Sequence, residues 1–350
     1  MLLTGFPGFI GRRLAARLLA DGASITALVE PRMVEAAREA AKEGIEVLEG
    51  DITERGLGLE GTDWERLTSE VTSVFHLAAI YDLAVPLEVA QRVNVDGTGN
   101  VLELCAACER FERLNYVSTA YVAGTRKGIV YEHELAFGQA FKNHYESTKF
   151  QAEVWVRGAM DRVPTTVYRP AVVVGDSQSG ETQKFDGPYF MLRVVAYAER
   201  RHLPIPQFGG AEAPFNVVPV DFVVNALAAA GAEPEAVGQT LHLVDPEPVT
   251  AAELLRILSR EYAGREPSYR IPAAIPETVL RFAPARRAFG GAPRESISYL
   301  NHPVRFDTRR TEAVLARAGL GVPRFEEYVG AIVRYFREHE DDPSFLPKES

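Results

Sequence analysis

The sequence is poor in the features that mark membrane proteins and nucleic-acid-binding proteins. No apolar run approaches the roughly 20 residues of a transmembrane helix. Positive charge is also scarce, because 38 Lys and Arg residues stand against 48 Asp and Glu residues, which gives a net charge of −10. We therefore expect no integral membrane segment, and nucleic-acid binding is disfavoured as the main role.

Cysteine is equally scarce, since Cys105 and Cys108 are the only two in 350 residues. Two cysteines cannot build a disulfide framework, and no secretory signal precedes the first strand, so a cytoplasmic protein is expected. Their C-x-x-C spacing could indicate redox or metal chemistry. Both lie in a helical pattern without a second ligand pair, which favours a packing role, and no metal site is predicted. The first strand is clipped, as expected if a few native residues precede Met1.

What the sequence does contain is a glycine turn at its very start. Gly5, Gly8 and Gly11 follow a short apolar run and open a helical stretch from Phe9 to Ala20. Such glycines permit a tight turn, a close approach to a diphosphate and packing of the helix on its strand, while the helix N terminus attracts the anion. The spacing is G-x-x-G-x-x-G, which is weak evidence alone. The predicted cofactor-binding residues here are Thr4, Gly5, Phe6, Pro7, Gly8, Phe9, Ile10 and Gly11.

Strand-like and helix-like segments alternate after this turn. Continuous apolar runs such as 24–29 are typical of buried parallel strands. The pattern predicts an α/β protein with a Rossmann-type doubly wound parallel sheet in residues 1–175. A smaller, mostly helical C-terminal substrate lobe is expected in residues 176–340, with some segments returning to the sheet. A polar tail is expected at 341–350.

The ends of strands two to four carry candidate cofactor contacts. Glu30 would accept a hydrogen bond from a ribose 2′-OH and favours NAD, whereas Arg12, Arg13 and Arg32 could offer charge to NADP. Asp51 could accept from the adenine amino group, although Gly-Asp is more often a turn. The small residues of Leu77–Ala79 leave room for a cofactor beside His76, which we interpret as a buried core histidine. In the helical stretch that follows, Asn94 has poor helix propensity and predicts a kink or bound water near the site, or an exposed polar residue.

The candidate catalytic residues follow strand five. Tyr145 and Lys149 are spaced i, i+4 and share one helix face. An isolated pair of this kind is usually a surface cation–aromatic contact, but the hydroxyls of Ser118 and Thr119 precede it at a strand's carboxyl end. Lys149 and an oxidised nicotinamide are expected to lower the Tyr145 pKa, so that the phenol acts as general acid or base. Thr119 is expected to donate to the carbonyl oxygen, with Ser118 as the adjacent alternative.

In combination, these motifs resemble the extended short-chain dehydrogenase/reductase family. Four further stretches resemble the reductase domain of bacterial fatty acyl-CoA and thioester reductases, in which NADPH reduces an acyl thioester or fatty aldehyde. Glu30 departs from the arginine that is usual in that branch. The family motifs are Thr4-Gly5-x-x-Gly8-x-x-Gly11, Gly50-Asp51-Ile52, His76-Leu77-Ala78-Ala79, Asn94-x-x-Gly97-Thr98, Ser118-Thr119, Tyr145-x-x-x-Lys149 and Arg169-Pro170. The further stretches are Phe75–Asp82, Val174–Thr182, Lys184–Phe190 and Asn216–Val224.

The resemblance implies an NAD(P)-dependent oxidoreductase that acts on a fatty-acyl thioester, a fatty aldehyde or another apolar substrate. A nucleotide-sugar epimerase or dehydratase, a steroid-type hydroxy dehydrogenase and a non-catalytic NAD(P) sensor remain alternatives. The family's members are commonly dimers, so a homodimer is possible. The resemblance extends the cofactor contacts to Ile52, Asn94, Tyr145, Lys149, Arg169, Pro170, Val172 and Val173. It also implies that Tyr81, Thr119, Ala120 and Tyr121 border the substrate.

Overall fold

The computed structural model describes residues 1–81, 85–208, 213–271 and 297–345. The strands are β1 (Leu2–Thr4), β2 (Ile25–Val29), β3 (Ile45–Glu49), β4 (Ser73–His76), β5 (Arg113–Val117), β6 (Gly128–Val130), β7 (Thr165–Pro170), β8 (Val172–Val174), β9 (Pro206–Phe208), β10 (Val217–Pro219), β11 (Thr240–Leu243), β12 (Tyr269–Ile271) and β13 (Val304–Phe306). The helices are α1 (Phe9–Ala20), α2 (Val34–Ala40), α3 (Gly61–Glu70), α4 (Leu87–Ala90), α5 (Gly97–Ala107), α6 (His144–Ala159), α7 (Tyr189–Arg200), α8 (Val220–Ala232), α9 (Ala251–Ala263), α10 (Ile297–Leu300), α11 (Arg309–Leu315) and α12 (Phe325–His339).

Seven parallel strands form the main sheet, in the order β11-β7-β5-β4-β1-β2-β3. The chain moves outward from β1 through β2 to β3 and then returns to place β4 on the other side of β1. The carboxyl ends of β1 and β4 therefore lie at the point where the strand order reverses, and sheets of this kind bind their ligands there. The predicted doubly wound fold is confirmed.

Apolar layers cover both faces of the sheet. On one face, Leu14 and Leu18 of α1 pack in a cluster with Val223 and Leu227 of α8. The other face buries a second cluster on α5 and α6 that includes Val101. Each fully buried Val or Leu contributes roughly 1.5–3 kcal/mol relative to exposure. These two layers fix the helices that carry the glycine turn and Tyr145.

The C-terminal half builds a separate cluster and also returns to the sheet. Helices α7, α9 and α12 pack together around residues such as Leu192, Leu258 and Phe336. Strand β11 joins the edge of the main sheet beside β7. The start of the expected polar tail is partly apolar, because the Phe345 ring stacks on Phe185 with centroids 4.7 Å apart. Residues 272–296 and 346–350, which include part of the predicted C-terminal helices and of the tail, lie outside the described residues.

Two features of the fold differ from the prediction. The helical stretch expected around Asn94 runs from Leu87 to Ala107, but its middle part, Gln91–Asp96, is π-helical rather than α-helical. Three parallel strand pairs, β10–β8, β12–β9 and β13–β6, supplement the main sheet. The three-residue strands β6, β9, β12 and β13 were not predicted, because so short a run carries no periodicity of its own.

The two cysteines occupy an apolar cluster. Cys105 is buried within α5 and Cys108 follows its last residue. Burial raises the pKa of the Cys108 thiol to about 11 and raises that of Cys105 as well. Within the described ranges, no group of His, Cys, Asp and Glu side chains could hold a metal ion. No helix among those same residues has the length and hydropathy to cross a bilayer.

Candidate active site

The glycine turn leaves no space for side chains. Gly5 has a φ of +87°, and a Cβ there would lie 2.9 Å from the backbone nitrogen of Ala78. A Cβ on Gly8 would lie 2.8 Å from the carbonyl oxygen of Gly5, and one on Gly11 would overlap the same oxygen. The Gly8 N–H closes the turn by donating to that oxygen at 3.0 Å. The backbone of β1 and α1 can approach this closely only because all three residues are glycine.

The N terminus of α1 fits the diphosphate of NAD(P). The first N–H groups of a helix have no partner within it. Across the described part of the chain no side chain caps this terminus, and no acidic residue lies in its first turn. Arg13 points elsewhere, since its guanidinium pairs with Asp176 at 3.0 Å and with Glu181 at 2.9 Å. Open donors, a positive dipole end and the absent Cβ atoms suit a bound anion.

A chain of buried hydrogen bonds connects the carboxyl ends of β1 and β4 to α5. The Ala78 N–H donates to the Thr4 hydroxyl oxygen (3.1 Å), which lies 2.7 Å from His76 Nδ1. His76 Nε2 lies 3.1 Å from the Thr98 hydroxyl oxygen, and that hydroxyl donates to the Asn94 carbonyl at 2.7 Å. This network assigns the imidazole proton to Nε2. Burial lowers the His76 pKa to about 3, so the ring is a neutral structural element.

Asn94 joins the loop after β4 to the helix that carries Tyr145 and Lys149. It is fully buried in the π-helical stretch. Its Oδ1 accepts from the Ile80 N–H at 2.9 Å, and its Nδ2 donates to the Thr148 hydroxyl at 3.0 Å. Of the alternatives raised by the sequence, the structure supports the kink and contradicts an exposed polar residue.

Tyr145 and Thr119 meet at the carboxyl end of β5. Thr119 begins the 3-10 turn Ala120–Ala123, where its hydroxyl oxygen accepts from the Tyr121 N–H at 3.3 Å. Hydrogen bonding with Thr119 lowers the pKa of the Tyr145 phenol, but burial is the larger influence and raises that pKa to about 12. The Tyr81 ring lies edge-on to the Tyr145 ring, with centroids 5.1 Å apart. These residues form one cluster of hydroxyl and aromatic groups.

Lys149 lies one turn further along α6, in a buried position. Its Nζ donates to the Val117 carbonyl at 2.9 Å and lies 4.4 Å from the centroid of the Tyr116 ring. Burial lowers the Lys149 pKa to about 7, against the opposing charge of Glu153. In the protein alone the Tyr145 pKa is raised rather than lowered, because burial outweighs the hydrogen bond with Thr119.

The side chains of Ser118 and Arg169, predicted as an alternative catalytic hydroxyl and a cofactor contact, belong to a buried ionic cluster. The Ser118 hydroxyl donates to Glu153 at 2.7 Å, so Thr119 is the hydroxyl that interacts with Tyr145. The Arg169 guanidinium contacts both carboxylate oxygens of Glu153, at 2.7 and 3.1 Å, and lies 3.1 Å from His242 Nε2. With these partners, the Arg169 side chain has no free face for a cofactor.

Glu153 and His242 are the residues that the sequence reasoning missed. Glu153 is fully buried on α6, one turn beyond Lys149 and two beyond Tyr145. A carboxylate on the buried face of a helix needs a cation or hydrogen-bond donors around it. The position of Glu153 on the helix face of Tyr145 and Lys149 could therefore have indicated such partners. His242 lies on β11, and no pattern in the sequence connects it to Arg169 on β7.

The predicted nucleotide-binding residues lie at the ends of β2 and β3. The Glu30 carboxylate pairs with the exposed Arg32 guanidinium at 2.7 Å. One carboxylate oxygen of Asp51 accepts from the Thr53 N–H at 2.8 Å, which is a turn contact. The Ile52 carbonyl accepts from Asn100 Nδ2 at 2.7 Å.

The remaining predicted residues lie in or next to other strands and turns. The Tyr121 ring lies edge-on to Tyr299, with centroids 4.9 Å apart. Ala120 is buried in its 3-10 turn. Asp82, the last residue of one family-like stretch, lies outside the described residues. The other predicted residues lie in strands or directly after them. Leu77 and Ala79 follow β4, Pro170 ends β7, and Val172 and Val173 lie in β8.

Comparisons with known proteins identify the family of the chain and agree with its fold. The profile of an NAD-binding family described as "Male sterility protein" matches residues 3–227. A carboxylic acid reductase of Segniliparus rugosus is 26% identical over 270 residues, which cover 66% of this chain and 23% of that enzyme. The chain thus spans about a quarter of the length of this curated relative.

Solved structures share the whole fold. The terminal R domain from the myxalamid PKS-NRPS biosynthetic pathway has a TM-score of 0.82 and 26% identity, covering 99% of this chain and 92% of that one. A UDP-glucuronic acid 4-epimerase from Bacillus cereus, in complex with NAD, has a TM-score of 0.67 and 18% identity, covering 98% and 99% of the two chains. The predicted family is confirmed. The chain belongs to the male sterility protein family of NAD-binding domains, which are NAD(P)-dependent reductases of the extended short-chain dehydrogenase/reductase type.

Proposed function

We propose that this protein transfers a hydride between a nicotinamide cofactor and a carbonyl or alcohol, with Tyr145 as the proton donor in reduction and the acceptor in oxidation. The observation that carries the proposal is that Lys149 donates to the last carbonyl of β5 at 2.9 Å, which brings the start of α6, with Tyr145 one turn earlier, to the end of the strand that Thr119 follows. A non-catalytic sensor would not need this arrangement.

The protein's own groups have separate roles in this reaction. NAD(P), held by the glycine turn and the N terminus of α1, supplies or accepts the hydride when bound. In reduction, Thr119 donates a hydrogen bond to the substrate's carbonyl oxygen, and Tyr145 gives that oxygen its proton. Lys149 would bind the nicotinamide ribose hydroxyls, and its ammonium form would place a positive charge near Tyr145. Because burial raises the Tyr145 pKa to about 12, the phenol is fully protonated at neutral pH, as an acid must be.

The proposed substrate is a fatty-acyl thioester, a fatty aldehyde or another apolar carbonyl compound. This is supported by the similarity to the R domain and to the carboxylic acid reductase, each 26% identical to this chain. The rings of Tyr81 and Tyr121 near Tyr145 and Thr119 are also suited to apolar contacts. The likeness to the epimerase, at 18% identity, reflects the fold alone. A cytoplasmic location and a homodimer stay predictions.

A substrate panel with cofactor absorbance as the readout tests the proposed reaction. We expect oxidation of NADH or NADPH with medium- and long-chain aldehydes or acyl thioesters, and little with UDP-sugars or hydroxysteroids. Chain length is varied within each class, because an apolar site gains affinity with each buried methylene, at about 0.8 kcal/mol. Turnover of UDP-sugars in preference to every aliphatic carbonyl compound would contradict the proposal.

For the cofactor, we propose a preference for NAD that depends on Glu30. Its carboxylate would accept from the ribose 2′-OH and repel a 2′-phosphate, while it also neutralises Arg32 at 2.7 Å. We expect Glu30→Ala to free Arg32 and to tighten NADPH binding by roughly tenfold, the effect of about 1.4 kcal/mol. Titration of NADH and NADPH against intrinsic fluorescence measures both affinities, with Glu35→Ala, one turn away on α2, as the matched control. NADPH binding to the unmodified protein more tightly than NADH would show that Glu30 does not select the cofactor.

A further inference from the structure

We infer that Lys142 and Tyr299 are positioning residues that offset the buried carboxylate of Glu146, and that this lets the neighbouring Tyr145 exchange its proton. The inference rests on the proposed function of Tyr145. It concerns a cluster at the start of α6 that connects the catalytic helix to the C-terminal lobe.

Glu146 is an unusual neighbour for a tyrosine that must become a phenolate. It follows Tyr145 directly in the first turn of α6, and its side chain is fully buried. Its carboxylate accepts from Lys142 Nζ at 3.1 Å, from the Lys142 backbone N–H at 2.9 Å and from the Tyr299 hydroxyl at 2.6 Å. A buried carboxylate without such partners would be strongly unfavourable.

The two partners come from different parts of the chain. Lys142 precedes α6, and its Nζ also donates to the Gly124 carbonyl at 2.9 Å. Tyr299 belongs to α10 of the lobe, and its hydroxyl oxygen accepts from Asn143 Nδ2 at 2.8 Å. The Lys142 Nζ lies 4.7 Å from the centroid of the Tyr299 ring. Tyr299 therefore supports the start of the catalytic helix only while the lobe is in place.

The charges around Tyr145 explain why the pairing of Lys142 with Glu146 affects the ionisation of the phenol. Thr119 hydrogen bonding favours the phenolate, whereas burial and the charge of Glu146 raise the Tyr145 pKa. The Tyr81 ring packs edge-on, and Lys149 is the cation on the same helix face. Tyr116 and Tyr121 lie near and would oppose phenolate formation only if they ionised themselves. Without Lys142, the site would hold an uncompensated negative charge one residue from the phenol.

The test uses two substitutions that should act in opposite directions. In the oxidation of an alcohol, kcat/KM rises with pH as Tyr145 loses its proton. Lys142→Met should move this rise to higher pH by about one unit, and Glu146→Gln should move it to lower pH by a similar amount, as expected for charges at this range in a protein interior. Tyr299→Phe, which removes a neutral donor, should shift the profile upward by less than Lys142→Met.

A control and an independent readout separate the possible outcomes. Arg256→Met removes one partner of an exposed pair with Glu253, 2.7 Å apart on α9, and should leave the profile unchanged. Ionisation of Tyr145 in the complex with oxidised cofactor, whose positive nicotinamide ring favours the phenolate, is also followed by NMR of 13C-labelled tyrosine, with the resonance assigned from its loss in Tyr145→Phe. Shifts of the same sign in Lys142→Met and Glu146→Gln, or no shift in either, overturn the inference. If the unmodified protein turns over no carbonyl or alcohol substrate, the proposed function fails, while the NMR titration still tests the charge balance.

Discussion

Tyr145→Phe is expected to abolish measurable turnover while cofactor affinity stays nearly unchanged. The substitution removes one oxygen, and with it the only proton that the proposed mechanism delivers to the substrate. A positioned general acid contributes typically 10²–10⁴-fold, so kcat should fall by about that factor. The ring itself is kept, so its edge-on contact with Tyr81 and its packing at the start of α6 should persist. The glycine turn, which would hold the diphosphate, is unaffected.

Two measurements on the same variant decide this prediction. Steady-state assays give kcat with the best substrate of the panel, and fluorescence titration gives the Kd for the preferred cofactor. Tyr197→Phe, which removes the hydroxyl of an exposed tyrosine on α7, is the matched control and should behave as the unmodified protein. Turnover by Tyr145→Phe within a few fold of the unmodified rate would remove Tyr145 from the mechanism. Parallel losses of turnover and cofactor affinity would instead indicate a binding role.

Glu153→Ala is expected to destabilise the fold by about 3–5 kcal/mol, the cost of leaving a buried charge without its partner. Arg169 is almost completely buried and makes its main contacts with this carboxylate. Removing Glu153 also leaves the Ser118 hydroxyl without its acceptor. Chemical denaturation followed by circular dichroism measures the change. The double variant Glu153→Leu with Arg169→Met should recover much of the loss, because it removes both charges together.

The pH dependence of the free energy of unfolding is a second test of the pair of Glu153 and Arg169. The charge of Arg169 and the hydrogen bonds to Glu153 outweigh its burial and hold the Glu153 pKa below its usual range. The stabilisation is therefore fully present above the unfolded-state pKa of about 4.3 and is lost as pH falls through the lower folded-state value. Glu153→Ala should show less acid destabilisation than the unmodified protein.

Glu253→Ala, at an exposed pair, is the control for the loss of stability and should cost less than about 1 kcal/mol. A loss of that small size in Glu153→Ala would contradict the structural role of the cluster.

The sequence by itself determined the α/β architecture and the chemistry at its centre. The apolar runs and the glycine turn are local signals, and the structure places α1 at Phe9–Ala20, where the pattern puts it. Tyr145 and Lys149 could be paired because four residues make about one helical turn, a spacing that depends on no other part of the chain. The buried state of His76 also followed from its strand, whose neighbours are apolar.

Only the tertiary structure decided which polar groups meet across long distances in the chain. Ser118 was assigned to the cleft because it follows a strand, and Arg169 because the family resemblance implies a cofactor contact there. Their side chains turn instead to Glu153 on α6, because a buried carboxylate must find its donors wherever the packing brings them. Tyr299 likewise reaches Glu146 from 153 residues further along the chain, a contact with no local signal. Hydrophobic periodicity and the propensity for helix or strand depend on a few neighbouring residues. The compensation of a buried charge depends instead on the packing of the whole molecule.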